Sequence, residues 1–173
     1  LKAAAATFIQ NADMSVNNNL TITAGSLITD GYDIDLAGNL SVDGALNAAN
    51  GNGGNTTINV AGNWDMTGGT FTGTNSTVIF DGTSTQSITS NSSIYSTLEV
   101  RNVTAVVTFA DSFTTTNITI DSDNYAGTVE VDFKESLSYV ITGALTLDGA
   151  SGEEITLDSQ DGATRFTLDV QGG

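Results

Sequence analysis

DLAGNLSV at residues 35–42 returns as NVAGNWDM at residues 59–66, and a fainter copy, SVNNNLTI, stands at residues 15–22. Each copy alternates apolar and polar positions on either side of a Gly-Asn or Asn-Asn pair, the pattern of two short strands that meet at a corner. A phrase that recurs at near-constant spacing marks a repeat architecture, in which each copy is one unit stacked on the last.

The alternation runs on beyond the phrase. Leu20/Ile22, Ile34/Leu36, Leu40/Val42, Ile58/Val60, Trp64/Met66, Val78/Phe80, Leu98/Val100, Val107/Phe109, Ile118/Ile120, Val129/Val131, Leu145/Leu147, Ile155/Leu157 and Phe166/Leu168 each read as a short strand with one buried face. Leu20 to Leu40, Val78 to Leu98 and Leu98 to Ile118 are each 20 residues apart, and Leu40 to Trp64 is 24. The four extra residues fit a loop at NGNGGN, residues 50–55. Short strands joined at Gly/Asn corners, with no helical pattern between them, predict an all-β fold: a parallel β-solenoid (β-helix) with rungs of about 20 residues. A sandwich with hairpins at Asp30-Gly31, Asp43-Gly44 and Asp81-Gly82 is the competing topology. It gives no reason for the phrase to repeat. The domain reading is an N-terminal arm or cap over residues 1–12 and a single solenoid domain over 13–173.

Aligning the copies puts Asn19, Asn39 and Asn63 at one position, each directly before an apolar residue expected inside: Leu20, Leu40 and Trp64. Asn tolerates left-handed backbone, and equivalent amides about 4.8 Å apart can hydrogen-bond from rung to rung, so an Asn ladder is expected at this corner. After Asn75 the corner text changes, and Phe71, Phe80, Phe109, Phe113 and Phe133 enter the expected interior.

With 20 acidic and 4 basic residues the formal net charge is −16, which repels phosphate backbones, so nucleic acid is not an expected partner. No apolar run approaches the roughly 20 residues of a membrane-spanning helix, and LKAAAATFIQ lacks a full signal-peptide hydrophobic region. Cysteine and histidine are both absent, which removes thiolate and imidazole ligands and the commonest general base.

GALTLDGASGEEITLDSQDGATRFTLDV, residues 143–170, carries a Thr-Leu pair, a Gly-bounded turn and Ile-Thr-Leu at Leu145, Thr146, Leu147, Gly149, Gly152, Ile155, Thr156 and Leu157. This segment, with VIFDGTSTQSITSNSSIYSTLEVRN at 78–102 and the Asn corners, resembles the rungs of large secreted bacterial β-solenoid surface proteins, the adhesins and filamentous-haemagglutinin-like repeat proteins. The resemblance implies an extracellular or cell-surface location and brings no catalytic residues. Such proteins are usually far longer, so the chain is expected to be a segment of one or a subunit that regains length by assembly.

Candidate chemistry is sparse. The carboxylates Asp33/Asp35, Asp43, Asp65, Asp121/Asp123, Glu130/Asp132, Glu153/Glu154 and Asp158/Asp161 mostly alternate with inward apolar residues and are read as a solvated face rather than as a glycosidase pair. DSDNYAG (121–127) begins like a calcium loop, with Asp121 and Asp123 as its best ligands, but has Tyr125 where another ligand belongs. Asn19, Asn39, Asn55, Asn75, Asn91, Asn102 and Asn117 head Asn-x-Ser/Thr triplets, which an Asn- and Thr-rich chain contains by chance. Catalytic, cofactor-binding and metal residues are all expected to be none. The function expected is a non-catalytic structural subunit of an extracellular filament or surface coat, assembling head-to-tail with copies of itself. The alternative is an adhesin or glycan-binding segment, to be recognised by an exposed Trp64; a β-helical polysaccharide-processing enzyme ranks third.

Overall fold

A computed structural model of the chain describes residues 6–49, 51, 54–123 and 127–172. The described residues form strands joined by turns and contain no helix. Every strand pairing is parallel, and the strands stack in three columns around one axis. The fold is a β-solenoid of about seven turns, and the sandwich topology, which needs antiparallel hairpins, is excluded.

The first turn shows the unit: β2 (Met14–Val16), β3 (Leu20–Ile22) and β4 (Ser26–Ile28) each cover one face. It follows β1 (Thr7–Ile9), which pairs with β4 from below. Of the stretch 1–12 expected as an arm or cap, residues 1–5 lie outside the described residues, and Thr7–Ile9 is this strand. The second turn is β5 (Ile34–Leu36), β6 (Leu40–Val42) and β7 (Ala45–Asn47); the third opens with β8 (Thr57–Val60) and β9 (Trp64–Asp65). From there strands of the third and first columns fuse. The long β10 (Thr70–Phe80), β12 (Ile94–Val100) and β14 (Thr114–Asp121) each finish one turn and open the next, alternating with β11 (Gln86–Thr89) and β13 (Val107–Phe109). The coil finishes with β15 (Val129–Phe133), β16 (Ser138–Ile141), β17 (Leu145–Asp148), β18 (Ile155–Ser159) and β19 (Thr167–Val170).

Register follows the apolar spacing. Met14, Ile34, Ile58, Val78, Leu98, Ile118 and Leu145 lie in register in one column. The mean step along it is about 22 residues, slightly above the expected 20, because the steps ending at Ile58 and Leu145 are longer. In the next column Leu20, Leu40, Trp64, Ile88, Phe109 and Phe133 are stacked. Inward residues of the middle turns are fully enclosed, Ile34, Leu36, Leu40, Val42 and Leu46 among them, and burial of each contributes about 1.5–3 kcal/mol relative to exposure. Of the glycine loop, residues 50, 52 and 53 lie outside the described residues, while Gly51 and Gly54 bridge each other.

The Asn ladder is present with a different chemistry from the one expected. Asn39 N–H donates to Asn19 Oδ1 at 2.9 Å, Asn63 N–H to Asn39 Oδ1 at 2.8 Å, and Ser87 N–H to Asn63 Oδ1 at 2.8 Å. The side-chain oxygens thus satisfy backbone donors of the next rung rather than one another. None of these Asn residues has left-handed backbone. The Gly before the Asn is required by crowding: a Cβ on Gly62 would stand 2.5 Å from Asn39 Oδ1, and one on Gly38 would stand 2.6 Å from Asn19 Oδ1. A second ladder runs along the neighbouring corner, where Asp33 N–H donates to Asp13 Oδ1 and Thr57 N–H to Asp33 Oδ1.

Where the Asn ladder stops, a buried pair takes over. Gln86 Nε2 donates to Val60 O at 2.8 Å and Gly62 O at 2.7 Å, while its Oε1 accepts from Gly82 N–H and Asn102 Nδ2. Asn102 Oδ1 accepts the Ala105 N–H at 3.0 Å. Inside this half lies the aromatic file: Trp64 meets Phe71 edge-on at 5.1 Å, Phe109 stacks on Phe133 at 5.5 Å, and Phe133 stacks on Phe166 at 4.7 Å.

Candidate functional site

Two kinds of surface stand out: the ends of the coil and one lateral groove. At the first end Phe8 continues the inward column Leu27, Leu46, Phe71, yet it is 64% exposed because no described strand lies beneath it. Its neighbour Ile9 is 65% exposed on the outer face. At the other end Leu147 lies in register with Ile120 and Val170 with Ile141; both partners are buried, while Leu147 and Val170 are 50% and 43% exposed. Among the described residues each end therefore presents a parallel strand edge with its core stripe uncovered. Unpaired edges of this kind are templates for adding another strand.

The corner at the first end differs from those above it. Asn18 stands where Gly38 and Gly62 stand in the next two turns, and its own Oδ1 accepts the Asn19 N–H at 3.0 Å. That N–H is the donor which, one rung up, is met by the Asn below. Asn18 thus terminates the ladder within its own turn. Its side chain also stands where the next two turns carry Gly38 and Gly62, at which a Cβ would crowd the Asn side chain of the rung beneath.

The lateral groove, of about 600 Å³, opens on the third column. One wall is the turn Asn91–Ser93 and the other is the first half of β10, where Thr74–Ser76 form a bulge in which three residues oppose Ser96 alone. Of the five described non-glycine residues with left-handed backbone, three line this groove: Asn75 (φ 60°), Asn91 (φ 51°) and Ser92 (φ 58°). Such conformations cost about 1–3 kcal/mol each and persist where surroundings enforce them. Here Asp111 supplies the restraint, its two carboxylate oxygens accepting Ser90 N–H and Asn91 N–H at 2.6 Å each. Asn91 Nδ2 ties the turn to Gly69 O at 3.2 Å. On the floor, Ile94 is 67% exposed above the buried Phe71 and Tyr95. Burial pushes the Tyr95 phenol well above its ordinary range.

The expected candidate residues are scattered. Trp64 is fully buried among Phe71, Phe80 and Tyr95, so it offers no stacking surface to a sugar. Asp33 serves the corner ladder, and Asp43 and Asp35 face solvent. Asp65 accepts hydrogen bonds from its own turn at Thr67. Glu130 and Asp132 lie on β15 opposite Thr156 and Asp158 of β18. Burial, then Glu130, then Asp158 raise the Asp132 carboxyl above its usual value. Asp161 is held far below its usual value by the Thr164 hydroxyl and the N–H groups of Thr164 and Ala163. None of these carboxylates lines the groove. Asp121 stands in register with Asp148, but residues 124–126 of the calcium-like loop lie outside the described residues. Among the described residues no three His, Cys, Asp or Glu side chains converge as a metal site, and no helix is long and apolar enough to cross a membrane. Asn102 is wholly buried and Asn117 Oδ1 holds the Ala144 N–H, whereas Asn75 and Asn91 are exposed at the groove.

The sequence reading missed the groove, because its walls come from turns and a bulge whose residues are ordinary in composition. A signal was present in Asn91, since Asn is enriched in left-handed backbone. Comparison with protein-family models, with curated proteins and with solved structures yields no match.

Proposed function

We propose that the chain is a non-catalytic structural subunit of an extracellular or cell-surface filament or coat, associating head-to-tail with copies of itself as the secreted surface solenoids it resembles would. The observation that carries this reading is the pair of ends with uncovered inward side chains, Phe8 on β1 at one, with Ile9 exposed beside it on the outer face, and Leu147 and Val170 on β17 and β19 at the other. Mating them buries apolar side chains and supplies partners to strand edges, and a head-to-tail contact propagates without closure. Because Asn18 closes the ladder at its own corner, the contact runs through the edge of β1 rather than through a continued Asn ladder. The net charge of −16 disfavours nonspecific clumping and leaves growth to the ends.

The test is a pair of exposed substitutions, Phe8→Glu with Ile9→Glu, which charge the β1 edge while leaving the enclosed turns intact. Sedimentation of the parent chain should show species that lengthen with concentration, and the double variant should sediment as a monomer. Equal assembly by both, or a monomeric parent at every concentration, contradicts the reading.

A further inference from the structure

We infer that the groove between the Thr74–Ser76 bulge and the Asn91–Ser93 turn binds an uncharged oligosaccharide. Its lining contains no charged side chain; Thr70, Thr72, Thr74, Asn75, Asn91 and Ser96 present hydroxyls and amides. Such groups both donate and accept, as sugar hydroxyls do, so either can match the other without a fixed polarity. Ile94, exposed in the lining, offers an apolar contact for the C–H face of a sugar ring. The volume of about 600 Å³ lies within the range of small-molecule sites, about 300–1,000 Å³.

Two other ligand classes fit worse. A uronate or phosphorylated chain finds no cation in the groove and meets the field of a protein of net charge −16. A peptide cannot add as a strand, because the floor is already paired on both sides: β10 lies between β7 and β12, and β12 between β10 and β14. Recognition must therefore come from side chains. The walls are held before any ligand arrives, by Asp111 on Ser90 and Asn91, by Asn91 on Gly69, and by Ser76 Oγ on Gly73 O at 2.8 Å. Little ordering is left to oppose binding.

The experiment is a titration of the full chain, followed by amide NMR shifts, with uncharged tetrasaccharides of glucose, galactose, mannose, xylose and N-acetylhexosamine, and with tetragalacturonate as charged comparator. At least one uncharged sugar should move the amides of Thr72, Asn91, Ser92 and Ile94 with a Kd on the order of 1 mM or tighter. Ile94→Asp, at an exposed site that leaves the core alone, should weaken that binding at least about tenfold, equivalent to about 1.4 kcal/mol. Asp111→Asn, which loosens the wall from outside the groove, should weaken it several-fold. No groove shifts with any uncharged sugar to roughly ten times that concentration, larger shifts with tetragalacturonate, or undiminished binding by a folded Ile94→Asp chain would overturn the assignment.

Discussion

The side-chain oxygen of Asn39 lies 2.8 Å from the backbone nitrogen of Asn63, one full turn above it. The bond needs only an acceptor, because the amide NH2 takes no part in the ladder. Asn39→Ala should therefore destabilise the fold by about 0.5–1.5 kcal/mol, while Asn39→Asp, which keeps an oxygen at the same place, should retain most of that stability in moderate salt. Urea unfolding of the two variants separates an acceptor ladder from amide-to-amide stacking. Under amide stacking both variants lose equally.

Gln86 and Asn102 form the buried counterpart. Gln86→Leu leaves Gly62 O and Gly82 N–H without protein partners, and takes one of two bonds each from Val60 O, which keeps the Asp81 N–H, and from Asn102 Nδ2, which keeps Ser84 O. A loss of about 2–4 kcal/mol is expected from unmet buried groups, measured as a fall in the denaturation midpoint at constant slope. A change below the cost of one ordinary hydrogen bond would mean that the corner does not depend on this pair.

Asp132 faces Asp158 across the β15–β18 pairing and shares its strand with Glu130. Its folded-state carboxyl titrates above the unfolded value, so the native state takes up the proton more readily and the ionised form opposes folding. The destabilisation is present above the folded value and disappears as the pH falls through it. Asp132→Asn should raise the melting temperature at neutral pH, by the equivalent of about 0.2–1 kcal/mol for a directly opposed like-charge pair. At pH values below the carboxylate range the gain should vanish. A gain independent of pH would point to packing instead.

The solenoid was largely legible in the sequence. The pairs Leu20–Leu40, Leu40–Trp64, Val78–Leu98 and Leu98–Ile118, spaced on apolar periodicity, are residues that meet in register. Periodicity works here because a one-residue slip would turn every inward side chain to solvent. The burial of Trp64 followed from the same alignment. Less legible were features that depend on one atom rather than a pattern. The Asp13–Asp33 ladder is indistinguishable by letter from a solvated acidic face. The Gln86–Asn102 pair has no repeat to announce it, and the groove depends on the three-residue bulge at Thr74–Ser76.

Asn18 gives the end of the coil a specific chemistry. Asn18→Gly removes the oxygen that meets the Asn19 N–H together with the Cβ that Gly38 and Gly62 lack at the equivalent corners, where a rung lies beneath. End-to-end association should become faster in this variant, read by light scattering, because the open corner accepts another rung. Asn18→Asp, which keeps the acceptor, should associate at the parental rate or slower. A slower rate for Asn18→Gly than for the parent would contradict the capping role.

The central claim, that the uncovered ends of the coil mate with one another, is tested most directly by electron microscopy of the purified chain across a concentration series. The account predicts unbranched threads of uniform width whose length grows with concentration. Compact single particles at every concentration, with no threads, would contradict it.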